Sequence, residues 1–247
     1  MISRSTDVRA ALRSRQRGFL LNPYRFGAAA DPYASNNVLL LHGVGTEGST
    51  TILDSSQYAR TPTLSGNFRI RTNAFQYGAS SLYADGAGDY LTYANSSDFN
   101  FGSGGFTVEA FVRPATVLGY HTICGYANGS AANSNYSFAL YQADAAWQFN
   151  IYSGSTSYGG VAVGTAAVDT WAHVAFSRVG NNLYTFVNGV LLRTTNVTGV
   201  TVNNPAGSVL QVGKLQGYYD WYGYMHLRIK KGVGLYSATF TPPTFFP

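Results

Sequence analysis

"WAHVAFSRVGNNLYTFVNGVLL", residues 171–192, decides the fold class. On an extended chain, successive side chains point to opposite faces. Trp171, His173, Ala175 and Ser177 then share one face, and Ala172, Val174, Phe176 and Arg178 share the other. "VGNN" at 179–182 turns the chain, and "LYTFV" runs back beside the first strand. Asn188 and Gly189 are a strong hairpin signal, because both central residues of a type I′ turn need positive φ. "VLLRTT" supplies a third strand. The stretch reads as a three-strand meander.

The rest of the chain repeats this grammar. "GFTVEAFVRP" alternates, with Phe106, Val108, Ala110 and Val112 on one face and Thr107, Glu109, Phe111 and Arg113 on the other. Both faces are partly apolar, which places the strand mid-sheet with its outer side covered by a loop. "YSFALYQ", "AAWQFNIYSG", "SVLQVGKL" and "YGYMHLRIK" follow the same rule, and no long helical pattern interrupts them. Charged residues make up 11% of the 247, and Tyr and Gly number 19 and 28, a β composition with frequent turns. Many short strands at regular spacing predict an all-β, two-sheet antiparallel sandwich or jelly roll. The one cysteine, Cys124, sits in an apolar run and reads as a small buried hydrophobe, so no disulfide framework is expected. No apolar run approaches the ~20 residues of a membrane span.

Charge is unevenly placed. Residues 1–25 carry six arginines against Asp7 alone, and the remainder of the chain balances to zero. A neutral body lacks the basic surface that non-specific nucleic-acid binding needs, so no nucleic-acid partner is expected. Within the arm, Ser5, Thr6 or Asp7 caps a short helix, Val8, Ala11 and Leu12 fall at helical spacing, and Gly18 ends it. A helix of about ten residues is not stable alone in water and must dock on something, either the body or a partner chain. Arg4, Arg9, Leu12, Arg13, Arg15, Arg17 and Phe19 are the candidate partner-binding residues. An Arg-rich, acid-poor start also resembles a transit peptide, but the arm is read as part of the working protein. Residues 1–34 are thus assigned as a basic arm with linker, and residues 35–247 as the jelly-roll domain.

Four stretches are similar, in this order, to those of a known group: "FNFGSGGFTVEAFVRP", "WAHVAFSRVGNNLYTFVNG", "LQVGK" and "LRIKKGVGLYSATFTPPT". Together they resemble laminin G-like, concanavalin A-like jelly rolls. "LLLHGVGTEGSTTILDSS" and "FGASSLYADGAGDYLTY" resemble the first strands of that group as found in bacteriophage structural proteins. The resemblance covers residues 38–247 and leaves the arm outside. It implies a two-sheet jelly roll serving as a binding or adhesion module. In phage it implies a virion protein, a decoration, spike, tail or fibre component, whose partners are other virion proteins and its own copies. The second function it implies is an adhesin that binds host surface glycans.

Glycosidases share this fold, and they need two carboxylates about 5–10 Å apart across one sugar bond. In them the carboxylates resemble a Glu-x-Asp-x-x-Glu strand motif, which is absent here. The chain holds two glutamates, Glu47 and Glu109, and neither has an acidic neighbour at strand spacing. His42, His121, His173 and His226 read as structural, and the Gly-rich "GVGTEG" and "GAGDY" precede no helix that receives a phosphate. No enzyme activity and no cofactor are expected. The exception the resemblance raises is a structural calcium ion, with Asp54, Asp85, Asp89 and Asp220 as candidate ligands, against their reading as turn residues. Met225 and His226 stand where many relatives carry an acidic pair. For a ligand, the aromatic run "GYYDWYGY" offers Tyr218, Tyr219, Asp220, Trp221 and Tyr222. Exposed Tyr and Trp suit sugar rings and protein partners alike. Loops at 125–137 and 153–160 carry the Ser, Asn, Gly and Tyr of adaptable recognition surfaces.

Overall fold

A computed structural model of the chain describes residues 31–129, 132–159, 163–215 and 220–247. Among these residues the strands run, in chain order, β1 Asn37–Leu41, β2 Thr63–Ser65, β3 Arg69–Arg71, β4 Ser81–Asp85 and β5 Tyr90–Tyr93. Then follow β6 Phe106–Pro114, β7 Tyr120–Ala127, β8 Tyr136–Ala143, β9 Ala146–Ser153, β10 Thr156–Gly159 and β11 Val163–Thr165. The last are β12 Ala172–Val179, β13 Asn182–Val187, β14 Val190–Asn196, β15 Val209–Val212 and β16 Tyr222–Lys231. Sheet A has the order β14-β13-β12-β6-β16-β4-β3, with β1 also on β16; sheet B has the order β10-β9-β8-β7-β15-β5-β2, with β11 also on β9. Every described pairing is antiparallel. The fold is the expected all-β sandwich.

The quoted meander is β12, β13 and β14. Asn188 and Gly189 both have positive φ, +50° and +77°, as the type I′ turn requires. Val174, Phe176 and Leu183 face the core, while His173 and Ser177 lie on the outer side of sheet A. Between the sheets, Phe106 and Phe176 of sheet A meet Phe138 and Phe149 of sheet B. Phe149 stacks on Phe176 at 4.0 Å, and Phe101 lies between Phe106 and Phe138 at 4.3 and 4.9 Å. Fully burying each such ring contributes roughly 1.5–3 kcal/mol, which makes this aromatic stack the seam of the sandwich.

The outer face of β6 is buried too. The chain after β16 crosses sheet A as a strap: the Leu235 N–H donates to Thr107 Oγ1 and the Tyr236 N–H to Ser177 Oγ, at 2.9 and 3.0 Å. Phe246 seals a second apolar cluster with Leu40 and Phe111. This strap is the covering loop that the doubly apolar pattern of "FTVEAFVR" required. One expected loop is mostly strand: residues 153–159 form the turn and the returning strand of the β9–β10 hairpin, and residue 160 lies outside the described residues. Gly154, at φ +56°, makes a tight turn, so Thr156 pairs with Ser153 and Ser157 with Tyr152.

Candidate functional site

The aromatic run near the end does not form one platform. Tyr218 and Tyr219 lie outside the described residues, as do Arg4, Arg9, Leu12, Arg13, Arg15, Arg17, Phe19 and the short helix of the arm. The other three residues of the run separate. Asp220 Oδ2 accepts the Gly88 N–H at 3.0 Å, and Lys214 Nζ lies 2.9 Å from Oδ1. Trp221 is fully buried in the core, which corrects its expected role as an exposed flat surface. Tyr222, 37% exposed, begins β16 opposite Asp85. The cause is strand alternation, which sends neighbouring side chains to opposite sides.

The calcium candidates are likewise held by the fold. Asp54 is buried and accepts the N–H groups of Leu40, Ser56 and Arg60 and the Ser56 hydroxyl. Asp89 accepts the Asn67 and Asp85 N–H groups at the corner where the chain passes from sheet A to sheet B. Asp85 accepts from Ala87, and Asp220 already faces the Lys214 ammonium. Among the described residues no three His, Cys, Asp or Glu side chains gather around one point. This donor set does not fit an oxygen cage for calcium.

Both glutamates are tied up in ion pairs. Glu47 is paired with Arg71 at 2.7 Å and accepts the Thr72 N–H and hydroxyl, which hold its pKa below the usual range. Glu109 is fully buried under the strap. Its Oε1 takes Arg228 at 2.8 Å, and its Oε2 takes His173 Nε2 and the Tyr236 hydroxyl at 3.0 Å each. Burial alone would raise its pKa, but Arg228 and His173 outweigh it and hold the carboxyl at about 2. A carboxylate so held is a lock between sheet and strap. His226 is buried, donates through Nδ1 to the His42 carbonyl at 2.7 Å, and is kept neutral by desolvation, with a pKa of about 3. Burial likewise lowers His42 to about 4.

The polar and aromatic groups best placed to receive a ligand lie on the outer face of sheet B. In β9, Trp147, Phe149 and Ile151 face the core, so Gln148 and Asn150 face outward. Tyr141 of β8 lies directly opposite Gln148. Its hydroxyl donates to Gln148 Oε1 at 2.8 Å and accepts from Asn150 Nδ2 at 3.0 Å. Asn150 is itself buried, and its Oδ1 has no hydrogen-bond partner. Beside this chain, the half-exposed Tyr120 ring lies 6.4 Å from Tyr141, inclined 30° to it. Rigid rings with polar tips, next to amides fixed at strand spacing, suit a hydroxyl-rich ligand. The signal was present in "AAWQFNIYSG", where Gln148 and Asn150 interleave with the core residues.

The laminin G-type family model of the concanavalin A-like lectin/glucanases superfamily matches residues 85–229. The chain belongs to this superfamily. Curated proteins give no match. Among solved structures, this member of the superfamily is similar to the binding domain of botulinum neurotoxin serotype G, with a TM-score of 0.61 and 13% identity over 81% of this chain and 49% of the other. It is also similar to the serotype D ligand-binding domain in complex with N-acetylneuraminic acid, with a TM-score of 0.60 and 11% identity over 83% of this chain and 49% of the other. A third is domain 4 of a GH43 extracellular arabinanase from Geobacillus stearothermophilus, in complex with arabinotriose. There the TM-score is 0.58 and the identity 15%, over 73% of this chain and 87% of the other. The chain spans about half the length of the neurotoxin domains, at 49%. At these identities the likeness is one of fold.

Proposed function

We propose that the chain is a non-enzymatic glycan-binding module, displayed on a phage particle to which its basic N-terminal arm attaches it. The observation that carries the binding reading is the Tyr141–Gln148–Asn150 chain on sheet B, which ends in a buried acceptor without a partner. A buried unpaired acceptor costs roughly 1–3 kcal/mol, and a ligand hydroxyl placed there relieves that cost. The matched arabinanase domain and the serotype D domain each hold a sugar, which supports the same class of ligand for this fold. The non-enzymatic reading is supported by Glu109, sealed under the strap, and by Glu47, paired with Arg71. The virion setting is supported by the ordered motifs that resemble phage structural proteins and by the separation of a charged arm from a neutral body.

The test is binding of the full chain to a panel of bacterial envelope polysaccharides, with Tyr141→Ala and Gln148→Ala beside it. Saturable binding to at least one fraction is expected, weakened about tenfold or more in each variant, equivalent to 1.4 kcal/mol or more. If no fraction binds, or both variants bind like the parent, the glycan reading is wrong and a decorating role is left.

A further inference from the structure

The strap does not seal the whole outer face of sheet A. Where it passes the start of β12, a cavity of about 230 Å³ opens between residues 242–244 and the strand. We propose that this cavity is a second binding site, separate from sheet B, and that it takes a neutral sugar ring.

The strongest indication is at His173. The ring lines the cavity, is 2% exposed, and its Nδ1 has no hydrogen-bond partner. Its other nitrogen, Nε2, faces Glu109 Oε2, and that carboxylate is ionised against Arg228. A carboxylate accepts only, so Nε2 carries a proton towards it, and Nδ1 is left as a buried polar atom with no partner inside the protein, which a hydroxyl, able both to donate and to accept, can pair. A ligand O–H satisfies it.

The walls agree with a sugar. Trp171 is the one tryptophan of three with exposed surface, since Trp147 and Trp221 are fully buried. It is stacked against His226 at 5.5 Å, which fixes the plane it offers. Phe111 and Pro242 complete an apolar lining that suits the C–H face of a pyranose. Around the opening stand Gln76, Asn188 and Thr244, all exposed, which supply amide and hydroxyl groups. Asn188 is held in place by its turn and by accepting the His173 N–H through Oδ1 at 2.9 Å, which leaves its Nδ2 to donate. Among the described residues the lining includes no Asp, Glu, Lys or Arg. A charged sugar finds no counter-ion here, so the site selects neutral ligands.

The experiment is a fluorescence titration of the full chain with glucose, galactose, mannose, rhamnose and N-acetylglucosamine, and with glucuronic and N-acetylneuraminic acids as charged controls. Trp171, the partly exposed tryptophan in the cavity wall, reports occupancy. At least one neutral sugar should give a saturable change, and both acids should give none. Gln76→Ala and Thr244→Val, rim changes outside the buried lock, should each weaken it several-fold. The imidazole ¹⁵N spectrum of the parent should show the His173 Nδ1 signal moving on saturation. Tyr141→Ala should leave this response intact while losing polysaccharide binding, so either site can fail without the other. No response to any neutral sugar, an equal response to the acids, or rim variants that titrate like the parent would each overturn the proposal.

Discussion

Glu109 shows how much one side chain carries. It joins β6 to β16 through Arg228, to β12 through His173, and to the strap through Tyr236. Glu109→Ala leaves the buried Arg228 without its carboxylate and should destabilise the fold by about 3–5 kcal/mol, read as a fall in the urea midpoint. Acid should act on the same region. His42 and His226 take up protons near 6.5 when unfolded but only at about 4 and 3 when folded. Between those values the unfolded chain binds more protons, so stability is complete above about pH 6.5 and falls as pH drops below it. Glu109, with a pKa of 4.5 unfolded and about 2 folded, adds a further loss below about pH 4.5. Thermal melts from pH 7.5 to pH 3 should show this two-stage decline, and a flat profile would contradict the burial assigned to both histidines. The sequence displayed Glu109 as a lone acid on a strand. Its partners lie 64, 119 and 127 residues away, and only the sheet order and the strap bring them together.

At the scale of elements, the period-2 patterns were legible because each strand buries one face and its composition records which. The Asn188–Gly189 turn was legible because its backbone demands those residues. A Cβ at Gly189 would overlap the Phe240 carbonyl oxygen, and φ there is +77°. Gly189→Ala should therefore cost more than about 1 kcal/mol and loosen the strap, whose Phe240 N–H donates to the Gly189 carbonyl. Hydrogen exchange should show faster exchange at Phe240 and Leu191, while the β7–β8 amides keep their protection. The strap itself was not legible as an element. It has neither helical nor strand period, and its value comes from the outer face it covers. The run "GYYDWYGY" misled for the opposite reason: its density of rings suggested a surface, but alternation along β16 and the residues before it buries Trp221 and turns Tyr222 outward.

For the whole molecule, the proposed division between an attaching arm and a recognising body is testable by deletion. The Tyr33 carbonyl accepts the buried Lys230 ammonium at 2.8 Å, so a deletion that respects the body stops at residue 32. The chain starting at Tyr33 should fold, keep its ligand binding and fail to enter particles. Particle entry at the parental level would remove the arm from the account. No described helix is long and apolar enough to cross a membrane. The face on sheet B was only half legible in sequence: Gln148 and Asn150 could be seen to point outward, but not that Tyr141 links them. The most direct measurement is amide and side-chain shift mapping of the isotope-labelled full chain with an envelope polysaccharide that it binds. Perturbations centred on Tyr120, Tyr141, Gln148 and Asn150 are expected if sheet B binds the glycan. Shifts confined to strands far from these residues, with sheet B unmoved, would contradict it.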